Sequence, residues 1–239
     1  MRYETARRVL PDGLRRYIYS FEAMIEDAVT IFAARLPLGA RVLDAGAGEG
    51  QYSSYFRQHR YTGVDLGVGD TAWDYGELDA IADLNHLPFR DDTFDGSLNI
   101  VTLEHLKEPK RALREIARVL KPGGLLLMVA PHEWEVHQSP HDFFRYTKHG
   151  LAYLLAEAGL EVQTLEPAGG YFRLVARRLL GGLQFFPGPL KLIPALFFLP
   201  LALVLPLFEG LDKEKNFTLG YRCVAVKPRV SPAGPPSLH

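Results

Sequence analysis

The stretch Val42-Leu-Asp-Ala-Gly-Ala-Gly-Glu-Gly50 decides the fold. Its first residues are apolar, as in a short buried strand, and they run directly into glycines at 46, 48 and 50. Glycines so placed let the backbone turn sharply and approach a ligand closely, where any Cβ would occupy the ligand's space. A helix-compatible stretch, YSSYFRQH (52–59), follows at once, so the loop is of the nucleotide-binding type joining strand to helix. A dinucleotide fingerprint, G-x-G-x-x-G, would place its third glycine at Gln51, which argues against an NAD-dependent oxidoreductase.

Working outward, RVLDAG, YTGVDL, FDGSLNIV and LLLMVA (125–130) are strand patterns separated by helical ones, the alternation that builds a parallel sheet. Upstream, Leu14, Ile18, Phe21, Ile25, Val29 and Phe32 fall three to four apart, which predicts one helix over 14–36, stopped by Pro37 and Gly39. Downstream, PKRALREIARVL (109–120) opens with Pro109, sets Leu113, Ile116, Ala117 and Leu120 on one face, and stops at KPGG. GLAYLLAEAGL (150–160) predicts a helix ending at Gly159, and EVQTLEP and FTLGYRCVAVKP predict two further strands.

The GxGxG spacing, with Asp44 two residues before the first glycine, resembles motif I of class I S-adenosylmethionine-dependent methyltransferases. Asp65 comes 21 residues after Asp44 at the end of YTGVD, where a carboxylate can accept both hydroxyls of a ribose. The likeness continues in order through ADLNHLPFRDDTFDGSLNIVTLEHLKEPKRALREIARVLKPGGLLLMVAP (82–131), and over roughly residues 40–165 the chain is similar to the methyltransferase type 11 family. That resemblance implies an α/β fold with a Rossmann-like, doubly wound, mostly parallel seven-stranded sheet, helices on both faces, and here an apolar insertion before the last strand. It implies S-adenosylmethionine as cofactor, with Asp44 near its amino acid moiety and Ala45, Gly46, Gly48 and Gly50 along its path. Asp65 and Leu66 would take the ribose, Asp83 and Leu84 would lie beside the adenine, and Asn99 and Ile100 would face the cofactor. Ala45, Ala47 and Glu49 are ordinary substitutions between the glycines.

The sulfonium of that cofactor activates its methyl group, so the protein's task is alignment, with a base of suitable pKa to help a hydroxyl acceptor lose its proton. His105, in TLEHL, follows the fourth strand, and His132, His137 and His141 follow the fifth in PHEWEVHQSPHDFFRYT (131–147). Both segments would lie at the carboxyl edge of the sheet, where ligands bind. His141 and His105 are the candidate catalytic residues, His141 first, because Asp142 could orient its imidazole and Arg145 and Tyr146 could hold a polar acceptor. No compact zinc pattern such as H-E-x-x-H is formed, and no metal is expected. HDFFRYT resembles a segment of type 11 members associated with bacterial surface glycans. A hydroxyl of a glycan, lipid-linked sugar or related small molecule is therefore the expected acceptor.

Composition narrows the partners. The chain has 239 residues, with 27 Lys+Arg against 28 Asp+Glu, so nothing global recommends nucleic acid. The single Cys223 forms no intrachain disulfide, and MRYETARRVLPDG holds no signal-like apolar run, which together suggest a cytoplasmic location. Residues 179–208 stand apart, with one charge, Lys191, and five prolines. Since strands on both sides would share one sheet, a single membrane crossing is excluded. A monotopic hairpin on the cytoplasmic membrane face, or an interface with protein such as a second copy, remains. Pro194, Pro200 and Pro206 predict short, broken helices, and Arg173, Arg177 and Arg178 suit anionic headgroups. The chain thus divides into an N-terminal helical segment (1–37), a core (38–178), the insertion (179–210), the last strand (211–228) and a Pro- and Ser-rich disordered tail (229–239). Two other readings stand beside the first: methylation of an apolar quinone or lipid, and a non-catalytic cofactor-binding module docked on the membrane.

Overall fold

The computed structural model describes residues 9–69 and 73–229, so the tail from 230 onward lies outside the described residues. Strands β1 (Arg41–Ala45), β2 (Arg60–Asp65), β3 (Ala80–Ile81), β4 (Phe94–Ile100), β5 (Leu120–Pro131), β6 (Glu161–Pro167) and β7 (Gly220–Val226) form one sheet in the order β3-β2-β1-β4-β5-β7-β6. The first five are mutually parallel, and β7 runs antiparallel between β5 and β6. The chain steps outward from β1 to β3 and then returns to β4, so a topological switch point opens at the carboxyl ends of β1 and β4. The expected doubly wound seven-stranded sheet is the one observed.

Among the residues from 12 to 229 that the structure describes, the α-helices are α1 (Asp12–Ile18), α2 (Ser20–Arg35), α3 (Pro109–Val119), α4 (Lys148–Glu157), α5 (Tyr171–Gly182) and α6 (Leu192–Val204). Successive residues of β5 point to opposite faces, and both faces are buried. Leu126, Met128 and Ala130 join a core with Leu113 and Ile116 of α3 and Leu151 and Leu155 of α4. Leu127 and Val129 join a second core with Phe21, Ile25, Val29 and Phe32 of α2. The strand is thus packed between two layers, and its carboxyl end leads into the loops of the switch point.

Three local expectations are corrected. The helix predicted over 14–36 is two helices, parted at Tyr19 (φ −102°, ψ 53°). Contacts with the insertion override the local pattern there: the Tyr17 hydroxyl donates to the Leu203 carbonyl at 2.6 Å, and the Arg177 guanidinium lies 5.4 Å from the Tyr19 ring. After the glycine loop there is only a 3-10 turn, Ser53–Phe56. Phe56 alone is buried in that turn, so little packing is available to hold a longer helix.

The third correction concerns the insertion. A continuous helical run of 24 residues, Gly188–Leu211, replaces the expected short pieces. Pro194 falls in the first turn of α6, where a backbone N–H has no intrahelical partner. Pro206 falls where the α-helix gives way to a 3-10 segment, Leu205–Leu211, and only Pro200 interrupts the α-helical interior. With α5 the run makes a helical hairpin between β6 and β7, and the predicted boundary at 178/179 falls inside α5. The run is 6% buried over its most apolar window, with a mean hydropathy of 2.2. The arginines expected to meet lipid headgroups each have a carboxylate of the protein nearby. Arg177 pairs with Glu22 at 2.7 Å, Arg178 with Glu135, and Arg173 approaches Glu209 at 4.0 Å.

Candidate cofactor and acceptor site

A cavity of about 770 Å³ opens at the switch point. Gly46, Gly48, Asp65, Leu66, Asp83, Leu84 and Ile100 line it, as expected of a cofactor cleft. Gly46, Gly48 and Gly50 all have positive φ, at 93°, 55° and 73°. At Gly46 the requirement is absolute in space as well as in torsion: a Cβ would stand 2.2 Å from Cγ2 of Thr102, in the loop after β4. The two loops at the switch point therefore meet backbone to side chain.

Asp65 is held by backbone. Its Oδ2 accepts from the Gly48 N–H at 3.0 Å and its Oδ1 from the Gly67 N–H at 2.9 Å. A carboxylate oxygen has two lone-pair sites, so one on each oxygen remains for a diol, which fits a ribose. Asp83 is likewise fixed, its Oδ1 taking the backbone and side-chain N–H groups of Asn85 at 2.9 and 3.0 Å. These contacts satisfy the fit of S-adenosylmethionine to the residues present.

Four expected cofactor residues do not line this cavity. Asp44 and Asn99 are wholly buried, and neither is on the cavity wall. The Asp44 Oδ2 accepts from the Tyr61 hydroxyl at 2.6 Å, and burial raises its pKa to about 7. Asn99 donates from Nδ2 to the Ala45 carbonyl at 2.8 Å, which ties β4 to β1 directly under the loop. Ala45 and Gly50 complete the turn without lining the cavity. The reason is the strand period: with both faces of β1 and β4 packed, Asp44 and Asn99 point into protein, and they support the loop from below. Conversely, Trp73 and Thr102 line the cavity and were not foreseen. Trp73 lies in a loop with no periodicity, and Thr102 is marked only by its contact with Gly46.

On the acceptor side, His105, Trp134, His137, Gln138 and His141 line the same cavity. The expected roles shift. Asp142 does not orient His141; its carboxylate takes both Nη atoms of Arg145 at 2.6 and 2.7 Å and the His137 N–H at 2.8 Å. Arg145 beside it pulls the Asp142 pKa down to about 2. Arg145 also donates to the carbonyls of Trp134 and Glu135, and the Tyr146 hydroxyl donates to the Leu103 carbonyl at 3.0 Å. Both residues are consumed in shaping the loop, so neither is free to hold an acceptor. Beneath the histidines lies Glu104, fully buried, whose pKa burial pushes up to about 8. Glu104 was passed over because the sequence marks TLEHL only by its histidine, and His137 was named among the loop's histidines without being ranked as a catalytic residue.

Fold and site together define a nucleotide-cofactor enzyme domain of the class I methyltransferase type. Residues 43–128 match the family described as a methyltransferase domain. Over 115 residues the chain is 33% identical to a tRNA (carboxymethyluridine(34)-5-O)-methyltransferase of Arabidopsis thaliana, covering 46% of this chain and 28% of that protein. Over 140 residues it is 31% identical to a demethylmenaquinone methyltransferase of Paenarthrobacter aurescens (strain TC1), covering 53% and 49%. The chain spans half or less of the length of these relatives. A solved structure of the Burkholderia thailandensis 1,6-didemethyltoxoflavin-N1-methyltransferase, with 1,6-didemethyltoxoflavin and S-adenosylhomocysteine bound, shares the fold at a TM-score of 0.56. It is 21% identical, with 95% of this chain and 90% of that chain covered. Residues 43–128 thus match a methyltransferase domain, and the fold around them is that of a class I methyltransferase domain whose cofactor is S-adenosylmethionine.

Proposed function

We propose that the protein transfers a methyl group from S-adenosylmethionine to a hydroxyl of a glycan, lipid-linked sugar or related molecule, drawn from the cytoplasmic face of a membrane. The observation that carries this reading is the joining of the greasy hairpin to the cavity wall. The Arg177 guanidinium of α5 lies 5.0 Å from the ring of Trp134, which lines the cavity, and Arg178 donates to the Glu133 carbonyl in the same loop. Exposed Leu192, Ile193, Leu196 and Phe197 form an apolar surface on this hairpin, far richer than scattered surface residues of ordinary domains. With the arginines beside carboxylates, docking rests chiefly on that apolar area.

When bound, S-adenosylmethionine supplies an electrophilic methyl group. Asp65 and the glycine loop hold its ribose and backbone path, fixing the direction of approach. His141 faces the cavity as the proton acceptor for the acceptor hydroxyl. A second reading, a quinone or related ring as acceptor, is favoured by one observation: Tyr52, Tyr55, Trp73 and Trp134 give the cavity aromatic walls.

The test is incubation of the purified protein with methyl-labelled S-adenosylmethionine and separated membrane and soluble extracts. Label in the lipid-extractable fraction is expected, and chemical release then separates sugar from ring. Label confined to water-soluble products would overturn the membrane-borne acceptor. No label in any fraction, with cofactor binding intact, would leave a non-catalytic cofactor-binding module.

A further inference from the structure

At the acceptor end of the cavity three donor groups converge, and two of them, Glu104 and His105, carry buried atoms without hydrogen-bond partners. One donor atom from each of Glu104, His105 and His137 lies within 4.8 Å of the other two. The His105 Nε2 is 3.7 Å, and the His137 Nε2 4.0 Å, from Oε1 of Glu104, too long for hydrogen bonds. Both carboxylate oxygens of Glu104 and the Nε2 of His105 are buried with no hydrogen-bond partner. Glu104 has 0% side-chain exposure, so its carboxylate has no water to turn to.

The far sides of both rings are tethered in the way metal-bound imidazoles are. The His105 Nδ1 contacts the His141 carbonyl at 2.5 Å, and the His137 Nδ1 contacts the Glu135 carbonyl at 3.1 Å. A carbonyl only accepts, so each Nδ1 carries the proton and each Nε2 keeps a lone pair, directed toward Glu104. Arg145, the cation of this loop, is committed to Asp142 and does not neutralise Glu104 by contact. A proton or a metal cation on Glu104 is the missing partner. Ligands on bonds of ~2.1 Å around a tetrahedral ion lie roughly 3.4 Å apart, so small rotations of the two rings close the set.

We propose that Glu104, His105 and His137 bind a divalent transition ion of the zinc or manganese kind, with its remaining positions open to the cavity. Two imidazoles and one carboxylate are a donor set suited to such ions, not to calcium or magnesium. The partial exposure of the rings, 13% for His105 and 25% for His137, gives an ion its entry path from the cavity. Binding stands on this geometry alone; its use rests on the methyl-transfer reading. There the ion would hold the acceptor hydroxyl and ease loss of its proton. The oxygen then attacks the methyl carbon, the carbon–sulfur bond breaks with its electron pair going to sulfur, and the proton leaves to His141 or solvent.

The experiment is titration of the chelator-treated full chain with Zn2+, Mn2+ or Co2+, read by calorimetry and, for Co2+, by ligand-field absorption. Wild type is expected to bind one equivalent, and His105→Ala, His137→Ala and Glu104→Gln each to weaken it at least 10-fold. The exposed His149→Ala is expected to bind as wild type does. Absence of stoichiometric binding, or binding that survives all three substitutions, overturns the proposal. S-adenosylmethionine binding by each variant shows that the fold persists, and its loss in wild type would instead count against the methyl-transfer reading.

Discussion

The two ends of the cavity are built by different means. The cofactor end is made of backbone: glycines at positive φ, and amides that hold the Asp65 carboxylate. The acceptor end is made of side chains, from two loops 30 residues apart, assembled around buried Glu104 and the Asp142–Arg145 pair. Backbone geometry leaves a trace in sequence as spaced glycines, whereas side-chain convergence leaves almost none. The same contrast separates the helices. In α3, Leu113 and Ile116 are fully buried, while in α6, Leu196 and Phe197 are 71% and 66% exposed, although both helices offer large apolar residues.

The largest expected effect tests the backbone end. Gly46→Ala should destabilise the fold by roughly 3–5 kcal/mol, combining left-handed strain with a Cβ driven into the stiff Thr102, as read by urea unfolding. Unchanged stability would show that the two loops do not interlock. Leu113→Ala should cost about 2–5 kcal/mol by opening a cavity under α3.

Asp44 offers a test by pH. Its folded pKa of about 7 lies above the ordinary 3.8, so the folded state binds the proton more tightly than the unfolded one. For an acid raised in this way, stability falls as pH climbs from about 4 to about 7 and is level beyond. In cofactor-free protein, Asp44→Asn should lack that loss, and its stability relative to wild type should improve by a few kcal/mol between pH 4 and pH 8. A parallel pair of stability profiles would refute the buried-carboxylate account.

Asp65→Ala should weaken S-adenosylmethionine by about 1.5–3 kcal/mol, or about 10- to 150-fold, in calorimetry. Binding that is unaltered would remove the ribose assignment. The smallest effect on stability falls on the hairpin. Leu196→Glu with Phe197→Glu should change unfolding by under about 0.5 kcal/mol, because neither side chain is packed. The same pair should lower co-sedimentation with anionic vesicles. Equal sedimentation by both forms would reassign the apolar face to a protein contact.

Much of this molecule was readable in one dimension. The strand and helix periods, the GxGxG spacing and the acidic residue ending β2 follow from constraints that act locally on the chain. They gave the sheet, the switch point, the glycine loop and Asp65, whereas Leu66, Asp83, Leu84 and Ile100 on the cofactor wall were implied only by the resemblance to the type 11 family. What local pattern does not carry is direction and company. Whether Asp44 and Asn99 face ligand or core depends on which face of the strand a neighbour covers. Whether Arg173, Arg177 and Arg178 meet lipid or carboxylate depends on where Glu22, Glu135 and Glu209 arrive in space. The prolines of 188–211 looked like breaks, yet most fell at positions where a helix tolerates a missing N–H. The pairing of Glu104 with His137 joins residues 33 apart, and only the packing of β4 beside β5 sets them face to face.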